Sequence, residues 1–217
     1  MIKAVLFDLD GTLADTAPDL SYAINRMRTA RGLPELPLEA TRPVTSMGAR
    51  GLLGTGFGIG PDHPDFDALR NEFLAIYADN LCRDTRLFPG IAELLLELER
   101  RAVLWGVVTN KAERFTHPLL ELLGVHSRAA CIIGGDTTGK LKPDPAPLLA
   151  AAERIGIAPS HCLYIGDDQR DMQAGRAAGM KVVVAGFGYL NGSDPASWHA
   201  DAIIDAPLEL LPYLTQD

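Results

Sequence analysis

The chain has 217 residues, 47% of them hydrophobic and 22% charged, with a formal net charge of −8. That balance suits a soluble globular core with a sizeable insertion, and the negative charge, unrelieved by any lysine- or arginine-rich run, argues against nucleic acid as a partner. No apolar run is long enough to span a bilayer, and MIKAVLFDLD has too few apolar residues for a leader, so a cytoplasmic protein with no membrane partner is expected.

KAVLF (3–7) reads as a short buried strand that runs directly into DLDGT. A helix over about 18–30 follows, with Leu20, Ile24 and Met27 on one face and Pro18 where an N-terminal proline is tolerated. Residues 32–64 form a zone rich in proline and glycine. Within it GTGFGIG (54–60) mimics a dinucleotide fingerprint, but no strand precedes it and no helix follows promptly, so it reads as loop. DFDALRNEFLAIYADNLC (65–82) is an amphipathic helix with Phe66, Leu69, Phe73, Ile76, Tyr77 and Leu81 on its apolar side, a stripe suited to packing inside the insertion rather than to a dimer face. Cys82, Cys131 and Cys162 are far apart and odd in number, which fits reduced thiols better than disulfides or zinc.

Beyond residue 86 the pattern alternates. Helices are predicted over 90–101, 115–124, 145–156 and 170–179, and strands over 102–108, 129–135, 161–167, 181–186 and 201–206. Alternation of this kind predicts right-handed crossovers and a mainly parallel sheet, an α/β fold. Residues 16–86 contain helices and no convincing strand, so they read as a helical insertion after the first strand.

In such sheets ligands bind outside the carboxyl ends of the strands. One strand ends at Asp8, another in Thr109, Asn110 and Lys111, a third in Gly166, Asp167 and Asp168, and Lys142 lies in a loop before a helix. Asp8, Asp10, Asp167, Asp168 and Asp171 would gather negative charge on one rim, which is unfavourable without a counter-ion. A hard divalent cation such as Mg²⁺ suits ligands of this kind. Lys142 adds positive charge, and Thr109 and the N–H of Asn110 add neutral donors. Together they suit a phosphoryl group. Asp8 emerges from the strand and is the candidate nucleophile, forming an aspartyl-phosphate. Asp10, able to hold a proton beside another carboxylate, is the candidate general acid and then base. Gly11 lets the chain turn away sharply.

DLDGTLADT, VVTNK, KLKPDPAPL and GDDQRDMQAGRAAG resemble, in order and separation, the four motifs of the haloacid dehalogenase-type phosphatases. The resemblance implies a Rossmann-like catalytic core from 1–15 and 87–217 and a helical cap over 16–86. It also implies Mg²⁺ held by Asp8, the Asp10 carbonyl and Asp167, phosphate held by Thr109, Asn110 and Lys142, and outer supporting roles for Asp168 and Asp171. SMGARGLL (46–53) resembles the substrate-facing cap loop of phosphoglycolate phosphatase-like members, which implies that Arg50 meets the substrate. The tail FGYLNGSDPASWHADAIID also resembles the N-acetylmuramic acid 6-phosphate phosphatases. The expected activity is hydrolysis of a small phosphorylated metabolite by a monomer or weak homodimer. A phosphosugar mutase and a non-catalytic phosphate- or metal-responsive regulator remain alternatives on the same fold. Tyr189, Trp105 and Trp198 read as packing residues, and the five histidines lack ligand-like spacing.

Overall fold

In the computed structural model, which describes residues 1–215, β1 (Ala4–Phe7) is buried along its whole length. A two-residue strand, β2 (Ala14–Asp15), leads into α1 (Ala17–Thr29), α2 (Leu38–Thr41), a 3₁₀ stretch (Arg42–Met47), α3 (Gly48–Phe57) and α4 (Phe66–Ala78). The chain returns through β3 (Arg86–Leu87), which pairs antiparallel with β2. Then come α5 (Ile91–Arg100), β4 (Leu104–Val108), α6 (Glu113–Leu122), β5 (Cys131–Ile133), α7 (Ala146–Ile155), β6 (Cys162–Gly166), α8 (Gln169–Ala177), β7 (Lys181–Ala185) and β8 (Ala202–Ile204).

The main sheet has six strands in the order β5-β4-β1-β6-β7-β8, every neighbouring pair parallel. Helical crossovers cover both faces, which is why the strands are apolar runs rather than alternating patterns. β1 lies at the point where the strand order reverses, flanked by β4 and β6. Phe7 stands opposite Val107 on one side and Ile165 on the other. The carboxyl ends of three strands therefore stop at one level, at the switch point where α/β sheets bind ligands.

The helices between β2 and β3 pack on one another through Leu20, Ile24, Met27, Leu52, Leu53, Phe73 and Tyr77, all buried. Of the stripe expected on 65–82, Phe66, Phe73, Tyr77 and Leu81 are buried and Leu69 and Ile76 are partly so. Two details differ from the sequence reading. The first half of GTGFGIG is helix, not loop: α3 runs to Phe57 and ends at Gly58, whose φ is +70°. Gly56 serves close packing, since a Cβ there would sit 2.6 Å from Ile24 of α1. A pattern reading takes glycine as a breaker; here interhelical contact outweighs its roughly 1 kcal/mol helix penalty. Secondly, β3 begins at Arg86, inside the span expected to lack strands, because a two-residue ladder carries no periodicity.

Candidate active site

Asp8 follows β1 directly and Asp167 follows β6, so the sheet brings them together from opposite ends of the chain. Gly11, at φ +86°, turns the backbone between them. A Cβ there would lie 2.1 Å from Asp167 Oδ2, so only glycine lets the loop close over this carboxylate.

Lys142 is 4% exposed and sits among carboxylates. Its ammonium donates to Asp171 Oδ1 at 2.7 Å, the Tyr164 hydroxyl at 2.7 Å and the Val108 carbonyl at 3.2 Å. It lies 2.9 Å from Asp8 Oδ1, but its three donors are committed elsewhere, and Asp8 Oδ1 is buried without an aligned hydrogen bond. Burial alone would lower the Lys142 pKa; Asp171 and Asp8 outweigh it and hold the ammonium above the usual lysine value. Burial is also the largest influence on Asp8, lifting its carboxyl to about 7 against the pull of Lys142.

Asp10 is not paired with another carboxylate. Its Oδ1 accepts from Thr16 Oγ1 at 2.5 Å and from Lys111 Nζ at 2.9 Å, leaving Oδ2 without a partner among the described residues. The Lys111 ammonium also lies 4.6 Å from the centre of the Tyr77 ring on α4. One half-buried lysine thus ties the β1 loop to the helical layer. Lys111 stands in VVTNK beside Thr109, yet nothing in the spacing separated it from a surface lysine.

Asp8, Asp167 and Asp171 each offer a buried oxygen within 4.8 Å of the others. Asp171 is engaged by Lys142 and by the Asp168 N–H at 3.0 Å. Asp167 receives only neutral donors: the Tyr189 N–H at 2.9 Å, the Thr12 hydroxyl at 3.2 Å and the Ser46 hydroxyl at 3.3 Å. Burial first, then the charges of Asp8 and Asp171, push its carboxyl well above the ordinary range. An Asp8 oxygen that has the Lys142 charge at 2.9 Å but no aligned hydrogen bond, beside a carboxylate with no cation, is donor chemistry suited to a hard divalent ion. These acids could hold a metal. The Asp10 side chain is not among them, which leaves its carbonyl as the ligand this residue can offer.

Several expected residues have different employment. The Asn110 side chain pairs with the Lys142 backbone, Nδ2 to the carbonyl at 3.0 Å and Oδ1 from the N–H at 2.8 Å. It positions the lysine loop, and only its backbone N–H is left for an anion. The N–H groups of Leu9, Asp10 and Asn110 take no hydrogen bond among the described residues. Asp168 caps α8 and pairs with Arg170 at 2.8 Å; burial works against its charge, but Arg170 holds it below the usual carboxylate value. Arg50 is not brought to this site. α3 turns Gly48 and Ala49 toward it, while Arg50, roughly 100° further round the helix, lines a separate hollow with Val44 and Gly51. Tyr189 does more than pack: its hydroxyl accepts from the Thr16 and Ala17 N–H groups at 2.8 and 3.0 Å, capping α1, and donates to Asp15.

A cavity of about 320 Å³ opens onto these groups. Its floor includes Asp8, Asp10, Thr109 and Lys142, and α4 contributes Arg70, Phe73 and Tyr77. A family model described as haloacid dehalogenase-like hydrolase matches residues 5–185. The chain belongs to that family. It is 45% identical over 214 residues to an N-acetylmuramic acid 6-phosphate phosphatase of Pseudomonas aeruginosa, covering 98% of this chain and 95% of the relative. It is 47% identical over 209 residues to a phosphoglycolate phosphatase of Xanthomonas campestris, covering 96% and 94%. A crystal structure titled as a predicted phosphoglycolate phosphatase from Haemophilus somnus matches with a TM-score of 0.87 at 30% identity, covering 99% of this chain and 98% of that one. These relatives of the haloacid dehalogenase-like chain carry the names of phosphatases. Among the described residues no helix is long and apolar enough to cross a membrane.

Proposed function

We propose that the protein is a Mg²⁺-dependent phosphomonoester hydrolase that works through an aspartyl-phosphate on Asp8. The observation that carries this is the buried Asp8 oxygen with no aligned donor, set between Lys142 and Asp167 at the floor of a cavity. When bound, Mg²⁺ held by Asp8, Asp167 and the Asp10 carbonyl would offset charge on the phosphoryl oxygens.

The chain's own groups perform the rest. The Thr109 hydroxyl and the unpartnered N–H groups of Leu9, Asp10 and Asn110 seat the phosphate. Lys142, steadied by Asn110 and Asp171, supplies positive charge where the transition state gathers negative charge. An Asp8 carboxylate oxygen attacks phosphorus and the ester P–O bond breaks. Asp10 delivers a proton from Oδ2 to the leaving oxygen, while Lys111 and Thr16 fix the carboxyl through Oδ1. Asp10 then takes a proton from water, which attacks the aspartyl-phosphate, frees inorganic phosphate and regenerates Asp8.

Residues 16–86 act as a cap that excludes water, hinged at the β2–β3 pair. The substrate is a small phosphorylated metabolite, 2-phosphoglycolate or a sugar phosphate such as N-acetylmuramic acid 6-phosphate, and the protein works as a cytoplasmic monomer or weak homodimer. Arg50 is left out of the substrate set because it faces the other hollow. The test is phosphate release from both esters with Mg²⁺. Asp8→Asn is expected to abolish release while the variant still folds and still binds the ester; full activity in that variant would sink the mechanism.

A further inference from the structure

We infer that Arg70 and Arg114 form a specificity clamp for a carboxylate on the substrate, remote from the phosphate. The inference rests on the phosphatase reading above and adds to it a class of substrate and the residues that select it. Both arginines line the cavity that ends at Asp8, Arg70 from α4 in the helical layer and Arg114 from the first turn of α6 in the sheet-bearing part. The same cavity is also lined by the apolar Phe73, Leu74 and Phe115.

Their charge state sets them apart. The other cations of this cavity are matched to carboxylates: Lys142 to Asp8 and Asp171, Lys111 to Asp10, Arg170 to Asp168. Arg70 and Arg114 are exposed at this cavity; elsewhere among the described residues some exposed arginines find acids, as Arg31 does with Glu72, and others such as Arg26 do not. Arg70 and Arg114 have no ion pair and no hydrogen bond among the described residues; Arg114 only lies over the Phe115 ring at 4.6 Å. In a chain of net charge −8, two unneutralised guanidinium groups at one cavity mouth form a seat for an anion. The phosphate is taken at the floor by Lys142 and Thr109, so the anion at the mouth is a second group on the same molecule. A planar carboxylate matches the fork of a guanidinium. Because one arginine belongs to α4 of the helical layer and the other to α6 of the sheet-bearing part, a carboxylate held by both also holds the helical layer against the core.

The experiment compares esters that differ in the carboxylate. N-acetylmuramic acid 6-phosphate is set against N-acetylglucosamine 6-phosphate, which lacks the lactyl acid, and 2-phosphoglycolate against 2-hydroxyethyl phosphate. The wild type is expected to favour the acid of at least one pair in kcat/KM. In Arg70→Gln and Arg114→Gln that preference is expected to fall about tenfold, mostly through KM, as for loss of a binding contact shared by ground and transition states. Arg→Lys at either position keeps part of it. Thermal melts confirm that the variants fold. A wild type indifferent to the carboxylate, or a preference unchanged in both variants, overturns the clamp while the phosphatase reading stands. No release from any of the four esters overturns both.

Discussion

Replacing Asp167 with asparagine is expected to stabilise the metal-free protein. The carboxylate oxygens of Asp8, Asp167 and Asp171 lie within 4.8 Å of one another. At an effective dielectric of about 20, two unit charges at that distance repel by roughly 3 kcal/mol. Lys142 offsets Asp171 and part of Asp8, whereas Asp167 has no cation beside it, so removing its charge should recover on the order of 1–3 kcal/mol. For a chain of this size that is about 2–10 °C in Tm. The amide fits the site: its oxygen can accept from the Tyr189 N–H and the Ser46 hydroxyl, and its NH₂ can face the Thr12 hydroxyl, which accepts as readily as it donates. The sign of the pH dependence follows. Asp167 is held well above the ordinary carboxylate value of 3.8 and Asp8 is lifted from 3.8 to about 7. Both therefore bind protons more tightly folded than unfolded, so their contribution is fully present below pH 4; the part from Asp8 is lost as pH rises through about 7, and the part from Asp167 as pH rises through its own raised pKa. The advantage of Asp167→Asn should grow as pH rises and shrink toward pH 4, where a proton does what the substitution does. Melts in EDTA at several pH values test this, and adding Mg²⁺ should then raise the wild type more than the variant. A metal-free wild type that melts above the variant at pH 8, or an equal response of both to Mg²⁺, would refute the reasoning.

Two further outcomes follow from the buried network. Lys142→Met leaves Asp8 and Asp171 without their cation and should cost about 3–5 kcal/mol, the usual loss when one partner of a buried pair is removed; chemical denaturation of the metal-free variant reads this directly, and an unchanged midpoint would contradict it. Asp19→Ala should destabilise by at least about 2 kcal/mol, because the Asp19 carboxylate accepts from the Asp84 and Thr85 N–H groups and from Thr85 Oγ1 at 2.7–3.1 Å, fastening α1 to the segment entering β3; hydrogen exchange over residues 83–87 should speed up, and unaltered protection there would count against the tie.

What the sequence determined by itself is the order of buried strands and the residues at their ends. Short apolar runs alternating with amphipathic helices leave a parallel sheet as the economical arrangement, and a strand that stops at a carboxylate places it on the sheet's rim whatever the side chains around it do. The positions of Asp8, Thr109 and Asp167 on the rim were legible for that reason, whereas Lys142, in the loop before α7, stood out only through its KPDP setting. Tertiary structure alone decided the employment of side chains whose partners are distant in the chain. Asn110 holds a backbone 32 residues away, Tyr189 caps a helix 172 residues earlier, and Lys111 reaches both Asp10 and Tyr77. The rotation of α3 put Arg50 on a hollow separate from the one that holds Asp8, which α4 and α6 line with Arg70 and Arg114. Periodicity says which face of a helix is buried; which polar side chain looks into a cavity depends on how neighbouring helices set its rotation. At α3 that setting came from close packing of Gly56 against Ile24, a contact that no local pattern encodes.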